Sequence, residues 1–127
     1  MPNKVKINLE FPIHASPSFL FQYISTPDSL GEWFADNVNS RGKKFIFMWD
    51  DTEEVAERLS QKSDTFVKFK WEEDEDDDTY FEMRIEVDDL TKDVSLLVVD
   101  FADEDEVEES KMFWENQISE LKHVIGG

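Results

Sequence analysis

Thr65-Phe66-Val67-Lys68-Phe69-Lys70-Trp71 and Thr79-Tyr80-Phe81-Glu82-Met83-Arg84-Ile85-Glu86-Val87, separated by seven acidic residues, decide the fold. Period-two alternation sets Val67, Phe69 and Trp71 on one side of the first run, and Phe81, Met83, Ile85 and Val87 on one side of the second. Each therefore reads as a strand with one dry and one wet face, and two such strands in succession form an antiparallel hairpin. On the wet faces, lysines of the first run can meet glutamates of the second.

The same period extends in both directions. Segments 44–49, 54–60 and 94–101 complete a meander with 65–71 and 79–87. Lys44-Phe45-Ile46-Phe47-Met48-Trp49 is apolar on both sides, which predicts that helices cover its back. Segment 54–60 is ambiguous, because Val55, Ala56 and Leu59 also suit one side of a short helix. Further upstream, Val5, Ile7, Leu9 and Phe11 alternate with Lys4, Lys6, Asn8 and Glu10 in another half-buried strand. Ser16-Pro17 and Thr26-Pro27 each place a capping hydroxyl before a proline suited to the first helical position, so two short helices follow that strand. Asn37 to Gly42 reads as a turn-rich end to the helical section. Downstream, Trp114, Ile118, Leu121 and Ile125 recur at helical spacing, with Glu108 and Glu109 near the start and Lys122 and His123 near the end, as the helix dipole favours. Gly126-Gly127 stops this helix.

Composition narrows the function classes. Of 31 acids and 13 bases in 127 residues, giving a net charge of −18, the first 50 residues hold five of each. Residues 51–127 therefore carry the whole excess. Such a balance disfavours nucleic acid and anionic membranes, which are bound largely through Lys and Arg. Eleven Phe, four Trp and two Tyr argue against disorder. Without cysteine there is no disulfide framework, thiolate zinc site or Cys nucleophile. No apolar signal core follows the N-terminal lysines and no apolar run approaches the ~20 residues of a membrane span, so a cytoplasmic protein is expected.

The order of strand, two short helices, antiparallel meander and terminal amphipathic helix resembles the α+β helix-grip fold of the START-like (SRPBCC) superfamily. Thr26-Pro27-Asp28-Ser29-Leu30-Gly31-Glu32-Trp33-Phe34 is similar to the opening "T-P-x-x-L-x-x-W-F" segment of that family, and Trp114, Ile118 and Leu121 are similar to its closing helix. Among subgroups the chain is most similar to bacterial homologues of the heat-shock-protein ATPase activator. The resemblance implies a single domain over residues 1–127, with a curved sheet of about six strands wrapped around the last helix. It implies a domain that binds a hydrophobic small molecule or lipid between sheet and helix, lined by Trp33, Phe34, Phe69, Trp71, Met83, Ile85, Trp114, Ile118 and Leu121, and with no identifiable catalytic constellation in the sequence the expectation is a noncatalytic one. Most of these side chains are large, which predicts a cavity that is small or absent. Two alternatives are a chaperone-activator-like interaction module, steering a basic partner through acidic segments 72–78 and 103–109, and an enzyme of the polyketide cyclase or dehydratase type.

Catalytic candidates are sparse, and none is assigned. His14 follows the first strand and is the natural general base, although a loop histidine has a plainer reading as a partly exposed side chain. Asp100 interrupts the apolar strand Leu96–Phe101 and is the candidate buried acid, unless alternation turns it to solvent. Asp74, Asp76 and Asp78 match the first ligands of a calcium loop, but Thr79 stands where glycine is needed and Ile85 where the bidentate glutamate should be. That comparison predicts no metal site, and the sequence carries no cofactor motif. The plain reading of 72–78 is a solvated hairpin loop whose charge blocks edge aggregation.

Overall fold

The computed structural model describes residues 4–75 and 78–126. Strand β1 (Lys4–Pro12) is followed by helices α1 (Pro17–Ser25) and α2 (Pro27–Trp33). Six more strands come next: β2 (Asn37–Arg41), β3 (Lys44–Trp49), β4 (Thr52–Lys62), β5 (Phe66–Trp71), β6 (Phe81–Val87) and β7 (Val94–Asp103). A 3-10 turn (Glu104–Glu106) then leads into the long helix α3 (Val107–Ile125). The strands form one antiparallel sheet in the order β1-β7-β6-β5-β4-β3-β2.

The two helix starts form as the hydroxyl-proline pairs direct. Ser16 Oγ accepts from the Phe19 backbone N–H at 3.3 Å, and Thr26 Oγ1 accepts from that of Ser29 at 3.4 Å while donating to the Gln22 carbonyl at 2.9 Å. Thr26 thus closes α1 and opens α2. Thr26→Ala is expected to cost about 1 kcal/mol, a typical loss for a capping hydroxyl, readable as a lower denaturation midpoint with an unchanged slope.

Strand β2 corrects the expected turn at 37–42 and brings the sheet to seven strands. Its sequence, Asn37-Val38-Asn39-Ser40-Arg41, buries only Val38, opposite Phe47. Polar edge strands of this kind discourage pairing with other chains and resemble turns in composition. The true reversal is at Gly42, whose φ of +59° suits glycine.

Strand β4 settles the ambiguity at 54–60. Its register with β5 shifts between Arg58 and Ser60, a bulge at Leu59 that breaks the alternation. Before the bulge, Glu54, Ala56 and Arg58 lie on the inner face with the β3 residues Phe45 and Phe47; Ala56 and Phe45 are directly paired. The helical look of Val55, Ala56 and Leu59 comes from that extra residue.

Helices α1 and α2 do not cover the back of β3. Their buried residues Leu20, Ile24, Leu30 and Trp33 join Phe45 and Phe47 in one core on the inner face. Ile46 and Met48 stay half-buried on the other side, opposite Val55 and Glu53. On the outer face of the central hairpin, Lys68 stands opposite Glu82, but its ammonium lies over the Tyr80 ring at 4.0 Å and Glu82 pairs with Arg84 at 2.7 Å.

Helix α3 lies against β1, β7 and α2 and buries Trp114, Ile118 and Leu121. Its Gln117 side-chain amide donates to the carbonyls of Trp33 and Phe34 at 3.2 and 2.6 Å, which satisfies groups that the end of α2 leaves open. Phe34 is the hub between helices and sheet: its ring meets those of Trp33, Phe47, Trp49, Phe81, Phe113 and Trp114.

Candidate functional site

Eight of the nine residues expected to line a cavity are packed against the sheet–helix core. Trp33, Phe34, Phe69, Met83, Ile85, Trp114, Ile118 and Leu121 are each 7% exposed or less. Their rings interlock, as when Phe69 stacks on Phe81 at 5.1 Å and Phe81 meets Trp114 at 6.2 Å. Trp33 also edges a groove of about 460 Å³ with Trp49 and Gln117, outside this core. The ninth, Trp71, is different: it is half-buried at the end of β5, stacked on Phe81 at 4.9 Å, and lines an open cleft of about 330 Å³.

That cleft lies where the inner face of the sheet runs out, at the end of β5. Glu54 enters it from β4, Trp71 from β5, Thr79 from just before β6, Asp100 and Phe101 from β7, and Lys4 from β1. Glu73, Asp74 and Tyr80, from the β5–β6 connection, complete the lining. In the sheet order β5 and β6 stand between β4 and β7. At ~4.8 Å per strand, residues on β4 and β7 share one cleft only because the sheet is strongly curved.

Asp100 is the most constrained of these side chains. It pairs with Ile7 across β1 and shares the inward parity of Leu96 and Val98, so alternation turns it toward α3 and not to solvent. Its Oδ2 accepts the Trp114 indole N–H at 2.8 Å and its Oδ1 accepts the Phe101 backbone N–H at 2.7 Å. Burial pushes its carboxyl above the usual carboxylate range and Asp74 adds to this, while the Trp114 and Phe101 donors and Lys4 act in the opposite direction. Glu54 is also raised, by burial first and by the charge of Glu73 second. Asp74 accepts a hydrogen bond from the Thr79 hydroxyl, and Lys70 donates to that hydroxyl at 3.2 Å and to the Thr79 carbonyl at 2.9 Å.

The two catalytic candidates are not brought together. His14 is exposed and borders a separate cleft of about 410 Å³ with Glu10, Glu86 and Asp88. His123 is exposed in the last turn of α3. In the acidic segment 72–78, Glu72 pairs with Lys44 at 3.0 Å, while Asp76 and Asp77 lie outside the described residues. In 103–109, Lys4 is 3.5 Å from Asp103 and Lys111 is 3.9 Å from Glu108. Asp103, Asp105 and Glu106 bring carboxylate oxygens within 4.8 Å of one another, and a hydrogen bond with Asp103 raises the Glu106 carboxyl. Asp105 and Glu106 are exposed and Asp103 is half-buried, an arrangement common on surfaces this charged.

Glu54 and Thr79 carry no signal in the sequence taken singly. Glu54 becomes visible once β4 is read as a strand, since it then shares a face with Ala56. Thr79 continues the inward parity of Phe81. Trp49, at the end of β3, and Phe113, on α3 outside the Trp114-Ile118-Leu121 stripe, have rings that meet at 6.3 Å beside Trp71, and periodicity says little about either.

Comparison with known proteins bears on the whole chain. The family model of a START-like superfamily domain matches residues 1–127. A Bacteroides fragilis protein solved by NMR is 32% identical, with a TM-score of 0.66 over 98% of this chain and 93% of that one. The Aha1 dimer from Colwellia psychrerythraea shares the fold at 16% identity and a TM-score of 0.78, covering 93% of each chain. A Mesorhizobium loti protein does so at 15% identity and 0.75, over 96% of this chain and 97% of that one. No curated protein matches. No helix among the described residues is long and apolar enough to cross a membrane.

Proposed function

The chain belongs to the START-like superfamily, and from that premise we propose that it is a noncatalytic binding domain whose small-molecule site is the cleft at the aromatic end of the sheet. The observation that carries this reading is the contrast between a sheet–helix interior filled by interlocking aromatic rings and a cleft of about 330 Å³ with Trp71 on its wall. A volume of that size lies at the lower end of small-molecule sites. Trp71 forms the apolar wall, Trp114 fixes the orientation of Asp100, and the other expected residues belong to the packed core and do not line the cleft. The ligand therefore presents an apolar group to Trp71 and leaves part of itself at the polar rim.

The test is titration with N-phenyl-1-naphthylamine, a neutral apolar probe whose fluorescence rises on binding. Saturable binding at one site is expected, weakened tenfold or more by Trp71→Leu, which keeps an apolar side chain but removes the ring. Circular dichroism of the variant controls for folding. Absent binding, or binding unchanged by Trp71→Leu in a folded variant, contradicts the reading.

A second reading, an interaction module for a basic protein, draws support from Met112 and Phe113 of α3, which are 60% and 37% exposed, with Glu108 and Glu109 on the preceding turn. Steering by acidic segments 72–78 and 103–109 makes partner binding weaken with salt, and a partner held equally well at high salt argues against it.

A further inference from the structure

The charge around the cleft specifies more than an apolar ligand, on the premise that the cleft is the binding site. Four carboxylates line it, Glu54, Glu73, Asp74 and Asp100, against one cation, Lys4. The Lys4 ammonium is already 3.5 Å from Asp103, outside the cleft lining. Lys70, which is not part of the lining, donates to the Thr79 hydroxyl and carbonyl. Glu54 and Asp100 both belong to the inner face of the sheet, where burial disfavours their ionised forms, and each has a second carboxylate adding to that cost. The hydrogen bonds that Asp100 receives from Trp114 and Phe101 orient it without supplying a full positive charge. The indole of Trp71, the side chain whose face attracts cations most strongly, lines the same cleft from β5, a strand that lies between those of Glu54 and Asp100.

We propose that the ligand of this cleft is an organic cation, an alkylammonium group that sits between the Glu54 and Asp100 carboxylates with its hydrocarbon part against the Trp71 ring. A bare metal ion would leave the indole unused, and an anion would meet four carboxylates. A quaternary ammonium satisfies both surfaces, since its methyl groups spread the charge over an apolar exterior that the indole can face. The cleft volume accommodates a short alkyl chain together with such a headgroup.

The experiment displaces N-phenyl-1-naphthylamine with three compounds that share one tail: hexyltrimethylammonium, 1-hexanol and hexanesulfonate. The cation is expected to displace the probe at a concentration at least tenfold lower than the alcohol, and the sulfonate at a concentration above both. Glu54→Gln and Asp100→Asn are each expected to reduce the ratio between alcohol and cation several-fold, and together to bring it near one. Equal displacement by cation and alcohol overturns the cationic ligand while leaving the binding cleft intact. A full cation advantage in the folded double variant also overturns it, because the preference then belongs to the net charge of −18 and not to the cleft. Failure of the neutral probe to bind at all is the distinct result that removes the premise.

Discussion

Phe34→Ala is expected to destabilise the domain by about 3–5 kcal/mol, the range for emptying an aromatic site in a core that cannot collapse to fill it. Phe34 is 1% exposed, and its ring is held from every side: by Trp33 of α2, by Phe47 and Trp49 of β3, by Phe81 of β6, and by Phe113 and Trp114 of α3. Loss of the ring leaves a void at the junction of four elements. Its backbone carbonyl also accepts from the Trp49 indole and from Gln117, so shifts made to fill the void disturb those bonds. A small domain with ~5–15 kcal/mol of total stability would lose a large fraction of it. Urea unfolding followed by tryptophan fluorescence measures the loss. Phe113→Ala, at the exposed margin of the same cluster, should cost less than half as much. Equal costs for the two variants would show that the hub assigned to Phe34 is wrong.

Trp114→Phe is expected to produce the second large effect, and one that depends on pH. The substitution keeps an aromatic ring in the core but removes the indole N–H that donates to Asp100 Oδ2 at 2.8 Å. Depriving a buried charged acceptor of its donor costs about 1–3 kcal/mol. The pH dependence follows from the direction of the Asp100 shift. Its folded carboxyl is raised by burial above the value it has in the unfolded chain, so between those two values the folded state holds more protons, and stability falls as pH rises through that window. The Trp114 donor lowers the raised value, and removing it extends the window upward. The cost of Trp114→Phe should therefore be full above that window, where Asp100 is ionised in both the folded and the unfolded chain, and should shrink as pH drops through the window and below the ordinary carboxylate range. Denaturation of both proteins across that range provides the measurement. A cost independent of pH would mean that the loss is one of packing alone.

The parts of the fold that bury one face were legible because burial writes a period into the chain. Val67 and Phe69 pair in register with Met83 and Phe81 as their alternation requires, and Trp114, Ile118 and Leu121 are the buried residues of α3. Strand β2 was illegible for the opposite reason, since an edge strand with one buried residue in five has almost no period. The bulge at Leu59 made β4 resemble a helix by inserting a residue into the alternation. Helix placement misled in a further way. The apolar residues Ile46 and Met48 suggested a covered back, whereas α1 and α2 pack on the side of Phe45 and Phe47 because their own buried residues complete that core.

The site followed the same division. Trp71 and Trp114 were expected near a ligand, and one lines the cleft while the other anchors its deepest carboxylate. Asp100 stood out as a charge in an apolar strand, and its inward direction follows from the parity of Leu96 and Val98 once β7 is paired with β1. What no reading along the chain supplies is the curvature that brings β4 and β7 to one opening. Glu54 and Asp100 are 46 positions apart, and two strands separate them in the sheet. That both line one cleft is a property of the sheet as a whole.

Ligand is expected to bind at the acidic aromatic end of the sheet and not within the sheet–helix core. Chemical shift mapping of the isotopically labelled protein during titration with hexyltrimethylammonium tests it most directly. The expected result is a saturable set of perturbations centred on the Trp71 indole and on the amides of Thr79, Tyr80, Asp100 and Phe101. Perturbations centred instead on Leu20, Ile24, Val67 and Met83 in the core, or on His14 in the other cleft, would contradict it.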